Sequence, residues 1–193
     1  MGKDITNILV CGVGGQGVIL ASDVMADTFL EAGYDVKKSE VHGMAQRGGA
    51  VVSHVRYGRK VYSPLIRMGE VDYLFSTEKL EVLRWMEYCT PSTVVITDTV
   101  QINPPAVNLG EMEYPADIDD FLKGNFEKVY TVDATEIAKE LGNARAANVV
   151  LLGVLSKLLG IEEALWKKCL LERLPKKLHE LNLRAFEKGR LAV

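Results

Sequence analysis

After a few polar residues the chain enters a short continuous apolar run, Asn7-Ile-Leu-Val-Cys11, that ends in glycines. A run of that length without polar alternation predicts a strand buried on both faces of a parallel sheet. Between residues 17 and 32 the period changes. Val18, Leu20, Ala21, Val24, Met25, Thr28 and Phe29 recur at helical spacing, and Gly33 stands where such a helix stops. Residues 34–39 predict a second strand, so the chain begins with a β-α-β unit.

Residues 50–57 are rich in β-branched side chains and predict a further strand. Residues 58–60 read as a turn, giving a hairpin with Val61-Tyr62 before Pro64 stops it. Strands at 71–75 and 93–97 bracket a helix at 78–88, and 128–132 predicts a last strand. The stretch 99–126 is proline-dotted and weakly periodic. Helical spacing then covers 134–141, 144–159, 161–171 and 175–188. This order predicts an α/β fold: a Rossmann-like, doubly wound, mostly parallel sheet with a hairpin and a helical C-terminal cap over about residues 134–190. No internal repeat or low-complexity linker divides the chain, so 1–193 is expected to be a single domain.

Composition narrows the function classes. With 193 residues, 48% hydrophobic and 25% charged, the chain is long enough to bury a core and has an ordinary globular balance. A net charge of −3 provides no basic footprint for DNA or RNA. The start, residues 1–6, carries Lys3, Asp4 and Thr6 and has no long apolar core of a signal peptide. The longest apolar stretch, 149–159, is broken by Gly153, Ser156 and Lys157 and is too short to span a bilayer. A soluble, cytoplasmic protein is expected. Cys11, Cys89 and Cys169 are odd in number and far apart, which argues against a disulfide framework or an iron–sulfur cluster held by this chain alone. They read as small buried hydrophobes.

The candidate chemistry lies in two glycine-rich loops. Gly12-Val-Gly-Gly-Gln-Gly17 satisfies G-x-G-x-x-G directly after a strand and at the start of a helix. Glycines there allow a tight turn and let backbone N–H groups approach a phosphate at the positive helix end. Glu40, 23 residues after Gly17, has acceptable spacing for the acid that holds a dinucleotide ribose. The motif alone leaves two readings open: a dinucleotide loop, or glycines that let strand and helix pack closely or meet a partner subunit. No proton carrier of a hydride-transfer enzyme is evident. His54 reads as a mid-strand structural residue, His179 as solvated on a charged helix, and His42 lies in the second loop, where a ligand, a partner or a structural role fits. No catalytic residue and no metal ligand is assigned.

Other features have bland first readings. Glu78, Glu81 and Arg84 read as a solvated or weakly paired helix face, and Trp85 and Trp166 as core residues before interface anchors. The small-residue run 143–148 fits either a subunit interface or tight packing on the sheet. Residues 117–120 read as an exposed entry to a helix.

The second loop, His42-Gly-Met-Ala-Gln-Arg-Gly-Gly49, together with Gly12-Val-Gly-Gly-Gln-Gly17 and Val51-Val-Ser-His-Val-Arg56, closely resembles the small (beta) subunits of indolepyruvate ferredoxin oxidoreductases. These belong to the gamma-domain family of pyruvate and 2-oxoacid:ferredoxin oxidoreductases. The resemblance runs from about residue 7 to 159. The first loop marks the superfamily, and the second resembles the arylpyruvate branch. The resemblance implies a complex in which a large (alpha) subunit carries thiamine diphosphate, magnesium and iron–sulfur clusters. That complex oxidatively decarboxylates an arylpyruvate with coenzyme A and passes electrons to ferredoxin. It implies an inactive isolated chain, a possible homodimer when isolated, and cofactor-binding or partner-facing roles for Gly12, Gly14, Gly15, Gln16, Gly17, His42, Gly43, Met44, Gln46, Arg47, Gly48 and Gly49. Coenzyme A phosphates would suit the loop amides and Arg47; an acid of the large subunit would suit Arg47 equally.

Overall fold

The structure, a computed structural model, describes residues 4–42 and 49–193. Among them six strands form one sheet: β1 (Ile5–Val13), β2 (Asp35–His42), β3 (Ala50–Gly58), β4 (Tyr73–Ser76), β5 (Val94–Asp98) and β6 (Lys128–Val132), in the order β2-β3-β1-β4-β5-β6. β1, β4, β5 and β6 pair parallel in sequence, and β3 runs antiparallel to both β1 and β2. The helices are α1 (Val18–Glu31), α2 (Lys79–Arg84), α3 (Pro105–Asn108), α4 (Ile118–Asn125), α5 (Ala134–Glu140), α6 (Ala147–Leu159), α7 (Glu163–Glu172) and α8 (His179–Leu191).

The continuous apolar run in β1 is buried on both faces, as its pattern predicts. Ile8 and Val10 point into a core shared with α1, α5, α6, α7 and α8, whereas Leu9 and Cys11 point into a second core with α2 and α4. Helices thus cover both sides of the sheet, which is the doubly wound arrangement. α1 ends as its glycine predicts. Gly33 takes φ 87, its N–H bonds Leu30 O at 2.9 Å and the Tyr34 N–H bonds Phe29 O at 3.0 Å, the paired closure that satisfies the last carbonyls of a helix. The C-terminal helices form most of one covering layer. α6 is buried from Asn148 to Ser156, as expected of a helix that is apolar all round. It crosses α8 where Gly153 meets Gly189.

The hairpin lies elsewhere than the sequence predicts. β3 pairs with β2 over its whole length and with β1 on its other side, so both its edges are occupied and Val61-Tyr62 has no edge to join. Side chains fix that segment instead. The Val61 N–H bonds Asp35 Oδ2 at 2.9 Å, and the Arg56 guanidinium donates to Ser63 O at 2.9 Å and Leu65 O at 3.0 Å.

Asp35 also pairs with Lys37 at 3.0 Å, and the Val61 N–H, ahead of Lys37, holds its pKa down to about 2 from 3.8. A depressed carboxylate contributes stability above its ordinary pKa and loses it as pH falls through the folded value. Asp35→Asn is therefore expected to flatten the acid limb of the stability curve between about pH 4 and pH 2. Thermal melts of the two proteins across that window check this. An unchanged slope would remove Asp35 from the acid response.

Candidate functional site

β1, β2, β4, β5 and β6 end at the same side of the sheet, and β3 begins there, so the segments 12–17, 77–78 and 99–108 gather with Gly49 at one edge. In open α/β sheets the carboxyl ends of the strands are where ligands bind.

The first loop is built largely for its own closure. A Cβ on Gly12 would lie 1.8 Å from Thr77 Oγ1 and 2.9 Å from Val18 Cγ2, so a larger residue there would displace the Thr77 and Val18 side chains. Gly15 and Gly17 have φ 100 and 78, left-handed values that suit glycine. Gln16 folds across to β4. Its Oε1 accepts from the Val13 N–H at 2.8 Å and Thr77 Oγ1 at 2.7 Å, and its Nε2 donates to Thr77 O at 2.9 Å. The Gln16 side chain thus staples the loop across the β1–β4 crevice. Gly17 is covered by Asn148, at the start of α6, whose Nδ2 donates to Gly17 O at 2.9 Å. The small-residue run that fitted either an interface or internal packing places Ala146 and Asn148 inside the chain.

Among the described residues the two loops meet through one backbone bond, from the Gly14 N–H to Gly49 O at 2.9 Å. Gly43, Met44, Gln46, Arg47 and Gly48 lie outside the described residues, and the backbone of His42 pairs with Val51 at the end of β2. Glu40 is not at the ribose position of a dinucleotide site. β3 lies between β1 and β2, which moves Glu40 a strand away from the first loop, and Glu40 pairs with Lys38, itself bridged to Asp23.

Two clefts flank the glycine loop. One, of about 400 Å³, lies on the α2 side and is lined by Val13, Gly49, Glu81, Arg84, Asn103 and Asn108, among others. The other, of about 430 Å³, lies on the α6–α8 side and includes Gly15, Gly17, Arg145, Asn148, Lys177 and Asn182.

The expected solvated face of α2 is corrected here. Glu78 is 1% and Glu81 4% exposed. The stretch 99–116, unreadable in sequence, covers them: Tyr114 Oη donates to Glu78 Oε1 at 2.6 Å, and Glu78 also caps α2 by accepting from the Glu81 N–H. Burial raises the Glu81 pKa and the Glu78 charge adds to this, against the lowering effect of Arg84 at 3.2 Å. Burial likewise pushes the Cys11, Cys89 and Cys169 thiols up, which leaves them poor nucleophiles. His54 is buried, and its Nδ1 accepts from the Ile66 N–H at 3.2 Å, a structural role. His179 is half-buried with its Nε2 2.9 Å from Leu174 O, so it is tied to the fold and not only solvated. Trp166 is fully buried against Phe29, as expected, and Trp85 is half-buried against the second core.

Thr77 and Lys177 were not singled out by sequence, and Arg145 and Asn148 only as polar contacts if the small-residue run 143–148 were an interface. Thr77 and Lys177 belong to no motif, and Asn148 has only one local sign, a polar residue at the entry of an otherwise apolar helix.

The profile of the pyruvate ferredoxin/flavodoxin oxidoreductase family matches residues 7–192. The chain is 40% identical over 191 residues to the indolepyruvate oxidoreductase subunit IorB of Archaeoglobus fulgidus, covering 95% of this chain and 92% of that protein. It superposes with TM-score 0.73 and 26% identity on the gamma subunit of a keto/oxoacid ferredoxin oxidoreductase from Geobacter sulfurreducens, over 97% of each chain. It also matches part of the 2-oxoglutarate:ferredoxin oxidoreductase of Magnetococcus marinus, a structure with 2-oxoglutarate, coenzyme A and succinyl-CoA bound. There the TM-score is 0.77 and the identity 25%, over 99% of this chain and 31% of that one.

Proposed function

This chain belongs to the pyruvate ferredoxin/flavodoxin oxidoreductase family, and from that membership we propose that it is the small, cofactor-poor subunit of an indolepyruvate-type 2-oxoacid:ferredoxin oxidoreductase. The observation that carries the substrate class is the 40% identity, nearly end to end, to a subunit named for indolepyruvate. The complex decarboxylates an arylpyruvate with coenzyme A, yielding an arylacetyl-CoA, carbon dioxide and reduced ferredoxin. A large subunit carries the thiamine diphosphate, magnesium and iron–sulfur clusters, and this chain supplies no catalytic residue. It works in the cytoplasm and self-associates when the large subunit is missing.

The geometry supports a subunit more than a free-standing dehydrogenase. The Gln16 amide is used in holding the loop to Thr77, and Glu40 is paired away from it. Apolar side chains also stand in the open, Val41 at 52%, Leu109 at 73% and Met112 at 66% exposure. That surface suits contact with the large subunit, where a dry boundary protects a reactive thiamine intermediate from water. Copurification of the tagged chain from its native host tests the reading. An iron–sulfur, thiamine-containing partner that reduces ferredoxin with indolepyruvate and coenzyme A supports it. Activity confined to pyruvate or another 2-oxo acid would reassign the substrate, and a lone chain retaining NAD(P) would overturn the subunit reading.

Within that reading Arg47, with the Gly15 amide, holds phosphates of coenzyme A. In the assembled complex Arg47→Ala is expected to raise KM for coenzyme A about tenfold, the loss of one charge-assisted contact of roughly 1.4 kcal/mol. KM for indolepyruvate should stay unchanged. An unaltered KM for coenzyme A would assign Arg47 to the large subunit instead.

A further inference from the structure

β2 is an edge strand whose outer side is unpaired among the described residues. It runs the full length Asp35–His42, and Val41 on it is 52% exposed. A bare row of backbone N–H and C=O groups is a template for another strand. The opposite edge, β6 at Lys128–Val132, is shorter and carries a lysine with no acid to match it.

Lysines on an edge usually keep other strands away, and β2 has two, Lys37 and Lys38. Its charge pattern nevertheless admits a second copy of itself in one register. When two identical strands pair antiparallel about a two-fold axis normal to the sheet, opposed side chains share a face. One residue then lies on the axis, opposite its own copy. With Lys37, Lys38 or Glu40 in that place, like charges meet and repel. Axes nearer either end of the strand overlap only a few residues. Ser39 is the position that remains. With Ser39 on the axis, residues 36–42 pair with their copies, and Lys38 of each copy stands directly opposite Glu40 of the other.

The faces fit this register. Lys38 and Glu40 alternate onto the same face as Val36, which packs on the core shared with α1. There Lys38 bridges Asp23 and Glu40 within one chain, so the charges of two copies join into one network of alternating sign. On the other face Lys37 lies opposite Val41 of the second copy, where its aliphatic stem covers the exposed valine.

We propose that two copies of this chain associate through β2, antiparallel about Ser39, to make one continuous sheet. The proposal gives a surface to the self-association inferred above and rests on that part of the reading alone. The two-fold axis reverses the strands, so the two glycine-loop edges point in opposite directions and each stays open to a large subunit.

Sedimentation of the full chain, without its large subunit, measures the association. A dimer with Kd in about the micromolar range is expected from so small a contact. Ser39→Lys puts like charges on the axis and should weaken dimerisation at least tenfold. Its melting temperature at monomeric dilution should match wild type, because Ser39 is only half-buried. Ser39→Cys reports the register. Mild oxidation should join its two copies by a disulfide, whereas Lys37→Cys, roughly 13 Å along the strand from its own copy, should stay unlinked. The wild type, with Cys11, Cys89 and Cys169, gives the background. A monomer at sub-millimolar concentration would overturn the proposal together with the self-association it rests on. A dimer that Ser39→Lys leaves intact, or that Lys37→Cys cross-links as readily as Ser39→Cys, would overturn the β2 contact alone.

Discussion

Gly153→Ala should lower the unfolding free energy by about 2–3 kcal/mol, even though alanine is the better helix former by about 1 kcal/mol. The sign follows from where the added methyl would go. A Cβ on Gly153 would lie 2.1 Å from Phe186 O and 2.9 Å from the Arg190 nitrogen, and one on Gly189 would lie 1.8 Å from Val150 O. These neighbours are backbone, so the clash is relieved only by separating α6 from α8. That separation opens the core around Leu151, Leu155 and Phe186, all fully buried. Loosened packing along two whole helices outweighs the propensity gain of one residue. Gly189→Ala should behave alike. Gly124, in α4, is the control, since a Cβ there meets nothing within 4 Å. Gly124→Ala should be neutral or stabilising by up to about 1 kcal/mol. Urea denaturation of the three variants measures this. A midpoint for Gly153→Ala at or above wild type would refute the close-crossing account.

The second large effect concerns the loop that closes the site edge. Gly12→Ala would drive a methyl into Thr77 Oγ1 at 1.8 Å, the hydroxyl that donates to Gln16. The Thr77 hydroxyl has to turn away, which breaks its bond to Gln16 Oε1 and disturbs the neighbouring bond from Gln16 Nε2 to Thr77 O. The expected result is a stability loss of about 2 kcal/mol. Ferredoxin reduction by the assembled complex should also fall at least tenfold, because the Gly14–Gly49 hydrogen bond rests on this loop. A second substitution sharpens the test. Thr77→Ala removes the obstructing oxygen, so Gly12→Ala/Thr77→Ala should recover part of the stability that the single variant loses. The coupling between the two positions is then read from a double-mutant cycle. Additive losses, with no recovery, would mean that Thr77 is not what makes glycine necessary at position 12.

Much of the architecture is legible in local pattern because its causes are local. The unbroken apolar run of β1 requires cover on both faces, and the helical spacing from Val18 to Phe29, closed by Gly33, specifies α1 and its end. The apolar circumference of 149–155 specifies a central helix. The G-x-G-x-x-G spacing locates the loop at the carboxyl edge, and with the second loop it identifies the family. The failures share one character. The β-branched run says that residues 50–57 form a strand but not which strands it joins, and the insertion of β3 between β1 and β2 both moved the hairpin and removed Glu40 from the first loop. Glu78 and Glu81 read as solvent-facing because the segment that buries them, with Tyr114, has no periodic signal.

The sequence by itself therefore determined most of the elements, the two-faced burial of the sheet, the glycine-loop edge and the kind of complex this chain serves. Those are set by backbone propensity, hydrophobic period and short strings of residues that act within one turn or strand. Only the tertiary structure decided what those residues face: Gln16 on Thr77 across 61 positions, and Asn148 on Gly17 across 131. The physical reason is that strand order and helix crossing are chosen by non-local packing. Such packing balances the entropy of long loop closure against surfaces that exist only once the chain is folded.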